Sequence, residues 1–177
     1  MAYLHVPDGA GSGQTDPGDG GGAWMRELTR VLELRPTSAA PLLASVEATL
    51  REGGGMSRED RLTVAITIAR IHDCEYLVSA LTRVLEASGM DAAMVSALTR
   101  DDRLARVTPR VRAMIDFGIL VSDDPHLISR VTINDLRARA GLVAEDVVDL
   151  VQLVGTVSHL ARAALALGVT RARPASR

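Results

Sequence analysis

The stretch SREDRLTVAITIARIHDCEYLVSALTRVL, residues 57–85, decides the fold of this protein. Its first half, residues 58–72, is apolar nearly all round and leaves only a thin polar stripe, which is typical of a helix at the centre of a helical domain. Ser57 and Asp60 have the spacing of a capping box at the start of this helix, with Asp in place of the usual Glu. A second apolar helix follows almost at once, with Cys74 at its start. The stretch therefore predicts two consecutive helices with the chain's single thiol at their junction.

Apolar residues recur at three- and four-residue spacing outward from this stretch, from Trp24 to the C-terminal region, and no convincing strand pattern occurs. Thr108 before Pro109 indicates one further helix start, and Thr132 with Asp135 indicates another. We predict an all-α protein of about eight helices. The predicted helices span residues 23–34, 37–52, 58–72, 75–88, 91–99, 109–121, 133–140 and 144–167.

The chain is expected to form one domain over residues 23–168. Residues 1–22 are rich in Gly, Asp and Pro and hold too little apolar material to offset the entropy of ordering, so they predict a flexible tail. Residues 169–177 form a second, C-terminal tail. The last helix is apolar nearly all round, like the central one, with a thin polar stripe that includes Asp149 and is more often a solvated face than a site. More surface is therefore apolar than one small core requires, which predicts a homo-oligomer.

Composition excludes several kinds of partner and chemistry. The 20 basic residues are all arginine and face 22 acidic residues, so neither nucleic acid nor an anionic membrane is favoured as a partner. Without lysine, Schiff-base chemistry and a P-loop are excluded. One cysteine forms no internal disulfide, and no apolar run reaches the roughly 18 residues of a membrane span. We expect a cytoplasmic protein.

Cys74 admits two interpretations. A position at the start of a helix stabilises a thiolate, because free backbone N–H groups and the helix dipole point toward it. Asp73 and Glu75 flank the sulfur with negative charge and raise a thiol pKa, and a lone buried cysteine is more often a small apolar residue. The sequence leaves a reactive and an inert thiol both open.

Four neighbouring residues are further candidates for a site. The Tyr76 hydroxyl is suited to orient a substrate oxygen or, equally, to satisfy a core contact. His72 titrates near neutral pH but lies where a histidine often caps helix carbonyls. Glu75 is either a catalytic carboxylate or a helix-start charge. Arg70, if buried, needs a carboxylate, from Asp73 or from a substrate. Adjacent residues point in different directions, so we expect no shared metal ion.

The sequence CEYLVSALTRVL, residues 74–85, resembles the corresponding segment of the alkylhydroperoxidase D and carboxymuconolactone decarboxylase superfamily, whose redox branch carries Cys-x-x-Cys-x-x-x-His there. The likeness extends over about residues 24–169 and includes LRPTSAAPLLASVEATLREGGGMSRED, TPRVRAMIDFGILVSDDP and INDLRARAGLVAEDVVDLVQLVGTVSHLARAALALGV. The resemblance implies an all-helical array that assembles into trimers, hexamers or related rings. It also implies an active site beside the cysteine helix.

The motif is degenerate in this chain. Cys74 takes the first cysteine position, but the second falls on Leu77 and the histidine on Leu81, and the family's glutamate, twelve residues before the first cysteine, falls on Leu62. A dithiol peroxidase needs a second thiol to resolve the sulfenic acid and a Glu/His relay to move protons. We therefore predict negligible thiol-dependent peroxidase turnover. The three leucines either line a pocket for an apolar small molecule or fill the former cavity.

The function predicted from these observations is cofactor-free lyase, isomerase or cyclase-type chemistry on a small, largely apolar organic molecule. Its expected substrate contacts are Leu62, Leu77, Leu81 and Arg70. The residues expected to act in catalysis are Tyr76, Cys74, His72 and Glu75. Two alternatives stay open. One is a one-cysteine peroxide oxidoreductase in which an external thiol resolves Cys74. The other is a non-catalytic oligomeric binding or scaffold protein.

Overall fold

The computed structural model describes residues 23–51, 53–100 and 107–170, and these residues form eight α-helices and no β-strand. The helices are α1 (Arg26–Leu32), α2 (Pro36–Leu50), α3 (Arg58–Ile71), α4 (Glu75–Ala87), α5 (Ala92–Arg100), α6 (Pro109–Asp123), α7 (Arg130–Ala140) and α8 (Ala144–Ala166). The predicted all-α class and number of helices are confirmed. Within the described ranges, no helix combines the length and the apolar character needed to cross a bilayer. The tail predicted at residues 1–22, and residues 171–177 of the C-terminal tail, lie outside the described residues.

Helix α3 lies at the centre of the domain, as its sequence predicts. Residues 61–69 are all buried, and α3 packs against α2, α4, α5, α6 and α8. One buried polar side chain finds its partner within the helix, because the Thr67 hydroxyl donates to the Thr63 carbonyl at 3.1 Å. A helix surrounded by five others fixes the direction in which each of its ends points. Its C-terminal end leads directly into the cysteine junction.

Two of the three predicted helix starts are confirmed, and one is wrong. Ser57 Oγ accepts the Asp60 N–H at 3.1 Å and the Asp60 carboxylate accepts the Ser57 N–H at 3.3 Å, which completes the capping box. The Thr108 hydroxyl caps α6 by accepting the Val111 N–H at 3.2 Å.

The wrong helix start is the one placed at Thr132 and Asp135. Helix α7 begins at Arg130, because Ser129 caps it by accepting the Thr132 N–H at 3.3 Å. The Thr132 hydroxyl accepts the Ser129 N–H in return at 3.2 Å, so Thr132 closes the capping box at its far end. The helix gains most of a turn at its start as a result.

A buried arginine ties three parts of the chain together. Arg61 is only 2% exposed, and its guanidinium donates to the Thr49 carbonyl at 3.1 Å, to the Gly53 carbonyl at 2.9 Å and to the Asp149 carboxylate at 2.9 Å. Asp149 lies on the polar stripe of α8 with its side chain 45% exposed, and it also pairs with the buried Arg61. A buried guanidinium needs a counter-charge, and Asp149 supplies it.

Candidate functional site

The two faces of α4 carry different residue types, and this difference divides the predicted site. Asp73 takes the left-handed backbone conformation, with φ of 51°, in the turn between α3 and α4. Cys74 then caps α4. The apolar side chains of α4 face α3, whereas its polar side chains face outward because they recur every three or four residues on the opposite side.

The three leucines that the resemblance aligns with the family's relay residues lie in the core. Leu62 and Leu77 are fully buried, and Leu81 is 1% exposed. Leu77 and Leu81 border an enclosed cavity of about 10 Å³, which is room for one water molecule at most. Its other lining residues are Trp24, Val46, Thr49, Leu50, Thr156, Val157 and Leu160. Of the two interpretations of these leucines, the filled cavity describes this structure.

Tyr76 lies on the inner face of α4 and has a structural partner. Its side chain is buried, and its hydroxyl accepts the Leu28 N–H at 3.2 Å. Leu28 is in the first turn of α1, where backbone N–H groups have no partner within the helix. Burial is the main cause of a raised Tyr76 pKa. The hydroxyl therefore stays protonated at neutral pH and fixes α1 onto α4.

The outer face of α4 forms one wall of an open groove with a volume of about 650 Å³. Six charged residues line it, three arginines and three carboxylates: Arg70, Asp73, Glu75, Arg83, Glu86 and Arg100. The remaining lining residues are Cys74, Val78, Ser79, Thr82 and Thr99. We call this the outer groove. Its volume lies within the range of small-molecule sites.

Three helices build the outer groove. Helix α4 supplies residues that lie one helical turn apart on its polar face, α3 supplies Arg70 from its last turn, and α5 supplies Arg100 from its end. The Arg83 Nε donates to the Ser79 carbonyl at 3.3 Å, which holds the guanidinium along the face of α4. Arg70 Nη1 donates to the Leu98 carbonyl at 3.4 Å, which links α3 to α5.

Cys74 lies at the floor of the outer groove but is only 1% exposed. Burial raises the pKa of the Cys74 thiol, and the backbone N–H groups of Leu77 and Tyr76 oppose that rise in part. The helix-start effect predicted from sequence is present, yet desolvation of the charged form outweighs it. At neutral pH the sulfur is therefore a thiol rather than a thiolate.

His72 points away from the outer groove toward α6. Its Nε2 lies 3.2 Å from the Ser122 hydroxyl, within hydrogen-bond distance. Burial lowers the His72 pKa, the positive charge of Arg162 lowers it further, and Asp123 opposes both. The imidazole is therefore neutral at pH 7 and is not among the residues that line the groove.

The predicted site residues thus fall in three places. The structure brings Arg70, Cys74 and Glu75 together in the outer groove. The core holds Leu62, Leu77, Leu81 and Tyr76, and His72 contacts α6. Sequence reasoning missed the polar residues further along α4 and at the end of α5, which are Ser79, Thr82, Arg83, Glu86, Thr99 and Arg100. The polar face of α4 was a signal for the four residues on that helix, but no local pattern marks Thr99 and Arg100 on α5.

The groove carboxylates do not form a metal centre. Among residues 23–51, 53–100 and 107–170, no three His, Cys, Asp or Glu side chains come together as a metal site would require.

Sequence comparisons give no relatives: no protein-family model matches the chain, and no curated protein matches it. Solved structures do match. The chain is similar to the alkylhydroperoxidase core of a peroxidase-related protein from Ralstonia eutropha JMP134, at 22% identity and a TM-score of 0.76 over 81% of this chain and 75% of that one. A peroxidase-related protein from Silicibacter sp. TM1040 matches at 19% identity and the same TM-score, over 81% of this chain and 74% of that one.

A further similar structure is the debrominase Bmp8, crystallised as a cysteine-to-alanine variant with 2,3,4-tribromopyrrole. It matches at 14% identity and a TM-score of 0.66, over 80% of this chain and 74% of that one. At identities this low, the structural matches establish the fold alone. The resemblance seen in the sequence is confirmed at that level, and the chain has the alkylhydroperoxidase D-like fold.

Proposed function

We propose that this chain, built on the alkylhydroperoxidase D-like fold, works without a dithiol peroxidase centre and binds a small organic acid in the outer groove. The chemistry we propose there is cofactor-free acid–base chemistry of the lyase, isomerase or cyclase type. The observation that supports this most is the division of α4. Buried leucines fill the positions that the resemblance assigns to the second cysteine, the histidine and the glutamate of the redox branch, and the outer face of α4 lines an open groove of about 650 Å³.

The residues of the outer groove support an anionic ligand. Arginine presents a planar set of donors that matches a carboxylate in two parallel hydrogen bonds. Arg83 and Arg100 line the groove from two different helices, and each offers such a donor set to a carboxylate. The acidic residues on the same wall, among them Glu75, are suited to take up or deliver a proton at the other end of the molecule.

This proposal changes the polarity of the substrate expected from sequence. A largely apolar molecule was expected because three leucines take the relay positions, but Leu62 is fully buried, and Leu77 and Leu81 border a cavity too small for any organic ligand. The accessible volume lies on the polar side of α4. The substrate class that follows is a small carboxylated molecule.

Binding is tested with a panel of short mono- and dicarboxylic acids, screened by saturation-transfer NMR and quantified by calorimetry. Arg83→Gln and Arg100→Gln are each expected to weaken the best binder by about tenfold, because each removes a charge-assisted hydrogen bond. Arg58→Gln is the matched control, since Arg58 is exposed at the opposite end of α3. Equal affinity for the control and both groove variants contradicts the proposed site.

The second candidate function uses Cys74 as a one-cysteine oxidoreductase. The specific observation in its favour is that Cys74 lies at the floor of the outer groove, and the similar debrominase structure holds its bromopyrrole in a variant that lacks a cysteine. In this reaction the thiolate attacks the peroxide O–O bond and leaves a sulfenic acid and an alcohol or water. An external thiol then condenses with the sulfenic acid to a mixed disulfide and water.

Brief exposure to peroxide followed by dimedone trapping separates these candidates. The acid–base proposal predicts little dimedone adduct at Cys74 at pH 7, because the buried thiol is protonated. Rapid and complete labelling supports the one-cysteine candidate instead.

Hydroperoxide turnover with a dithiol reductant is a further test. We expect negligible turnover, since Leu77 occupies the position of the resolving cysteine. Sustained turnover that disappears in Cys74→Ser overturns the proposal that peroxidase chemistry is absent.

A non-catalytic binding or scaffold role makes a different prediction. It predicts that no small carboxylate in the panel binds the outer groove, and that groove substitutions such as Glu86→Gln alter neither stability nor assembly. The same NMR screen therefore decides between the two classes of function.

A further inference from the structure

The outer groove is balanced in charge, because its three arginines are matched in number by three carboxylates. Glu86 is one of these carboxylates and is exposed on the polar face of α4. The ion pairs formed between described residues involve Arg61, Arg110 and Arg139, none of which lines the groove. Within the described part of the chain, the groove carboxylates therefore have no arginine partner, and a ligand cation can pair with them.

A hydrogen bond within α4 directs Arg83 away from Glu86. Residues three apart on a helix are surface neighbours, and opposite charges at that spacing suit an ion pair. The Arg83 Nε donates instead to the Ser79 carbonyl, one turn earlier, at 3.3 Å. The guanidinium therefore lies on the N-terminal side of Arg83, whereas Glu86 follows on its C-terminal side. Glu86 is left without the counter-charge that Arg83 could supply.

Two threonines of the outer groove offer only hydrogen-bond acceptors to a ligand. The Thr82 hydroxyl donates its single proton to the Val78 carbonyl at 2.6 Å, and the Thr99 hydroxyl donates to the Ser96 carbonyl at 3.0 Å. Each oxygen keeps lone pairs but has no proton left to give. A ligand carboxylate gains nothing from these two oxygens, whereas an N–H donor does.

Thr82 and Glu86 combine these two properties on one face of α4. They are four residues apart, one turn of the helix, and are therefore neighbours. We call this pair the acceptor patch, and Thr99 adds a further acceptor from α5. A protonated amine carries three N–H donors and one positive charge. It complements the acceptor patch in hydrogen bonding and in charge.

We propose that the ligand of the outer groove is an amino acid, with its ammonium group at the acceptor patch and its carboxylate at the groove arginines. This inference rests on the proposed function, which supplies the carboxylate contact, and adds the charge at the other end of the ligand. A dicarboxylate would bring a second negative charge toward Glu86, which is repulsive. Glu75 lies about 16 Å from Glu86 along the helix axis and stays available for proton transfer.

The test compares butanoic acid with its 2-, 3- and 4-amino derivatives, by calorimetry on the full chain at pH 7. All four ligands share one carbon chain, so only the amine and its position differ. At least one amino derivative is expected to bind about tenfold tighter than butanoic acid, because the amine adds charge-assisted hydrogen bonds. The N-acetyl form of that ligand is expected to lose the gain, since acetylation removes the charge.

Two variants locate the ammonium group. Glu86→Gln is expected to reduce the preference for the amino derivative by about tenfold and Thr82→Val by about threefold, while neither weakens butanoic acid. Glu47→Gln is the matched control at an exposed position of α2, outside the groove, and is expected to keep the full preference. Unchanged helical circular dichroism shows that each variant is folded.

The outcomes separate this inference from the function on which it rests. Butanoic acid that binds as well as all three amino derivatives overturns the inference and leaves the carboxylate site in place. A preference for the amine that survives both Glu86→Gln and Thr82→Val does the same, as does a dicarboxylic acid that binds more tightly than every amino derivative. If none of the acids binds, with or without an amine, the proposed function fails and the inference fails with it.

Discussion

At the scale of single residues, the most informative finding is that neighbours in sequence on α4 have separate roles. Glu75 is exposed and lines the outer groove, whereas Tyr76 and Leu77 are buried in the core. Successive residues of a helix are turned by about 100° from one another, so a compact motif in sequence is split between two environments. A site inferred from adjacency alone therefore mixes residues with different roles.

Tyr76→Phe is predicted to destabilise the protein by about 1–2 kcal/mol, because the buried Leu28 N–H loses its acceptor while the ring still packs. Urea unfolding followed by circular dichroism measures this. A variant with unchanged stability that loses carboxylate binding contradicts the structural role and favours a role in orienting the substrate.

Alkylation of Cys74 by iodoacetamide is predicted to be slow at pH 7.5 and to rise steeply above the range in which an ordinary cysteine ionises. The sign follows from burial, which raises the thiol pKa and so keeps the protonated, unreactive form to higher pH. Urea-unfolded protein is the reference for the ordinary thiol. A rate that levels off below pH 8 in the folded protein means that the helix start outweighs burial.

At the scale of elements, the connection between α2 and α3 depends on a close contact with the start of α8. The Asp146 carboxylate accepts the Gly55 N–H at 2.7 Å and the Val143 N–H at 2.9 Å. A Cβ on Gly55 lies 2.5 Å from Asp146 Oδ2. The loop therefore needs a residue without a side chain at this position, whatever its own backbone angles.

Gly55→Ala is predicted to destabilise the protein by about 2 kcal/mol, because the displaced carboxylate leaves backbone donors unpaired. Gly155→Ala is the matched control: it is exposed in the middle of α8 with open space around it, and it is predicted to stabilise by about 0.5–1 kcal/mol through helix propensity. If the contact with Asp146 is responsible, thermal unfolding shows a lower melting temperature for Gly55→Ala and a higher one for Gly155→Ala. Equal shifts contradict this explanation.

The same contact adds a dependence of stability on pH. Hydrogen bonds from Gly55 and Val143, in that order, lower the Asp146 pKa below its ordinary value. The folded state therefore binds this proton less readily than the unfolded state, so the contribution to stability is complete above the ordinary carboxyl pKa and is lost as pH falls through the lowered pKa of the folded state. Asp146→Asn is expected to flatten the acid limb of the stability profile measured between pH 6 and pH 3.

At the scale of the whole molecule, Arg61 connects the end of α2, the following loop and α8 from the centre of the domain. Arg61→Ala is predicted to cost about 3–5 kcal/mol, because it removes three hydrogen bonds and leaves the Thr49 and Gly53 carbonyls and Asp149 without their donor. Guanidinium denaturation measures the loss. Arg30→Ala is the comparison on α1, partly buried and outside this cluster, and is expected to cost much less.

The sequence by itself determined the helices. Apolar periodicity located all eight to within a few residues, and side-chain caps fixed starts such as Ser57, because both signals act between residues close in the chain. The helix start predicted at Thr132 was wrong for an equally local reason, because Ser129, three residues earlier, is an equivalent capping residue. The alkylhydroperoxidase D-like fold was identified differently, from the likeness of residues 74–85 and their flanking segments to that superfamily.

Only the tertiary structure decided the site. Arg70 and Arg100 meet α4 because α3 and α5 end beside it, and no pattern within either helix records that meeting. Whether Leu77 and Leu81 line a pocket or fill a core depends on what packs against them, and Val46 and Leu160 from distant helices close the space. Helix periodicity fixes which side of a helix is apolar, but the volume enclosed between helices is set by residues far apart in sequence.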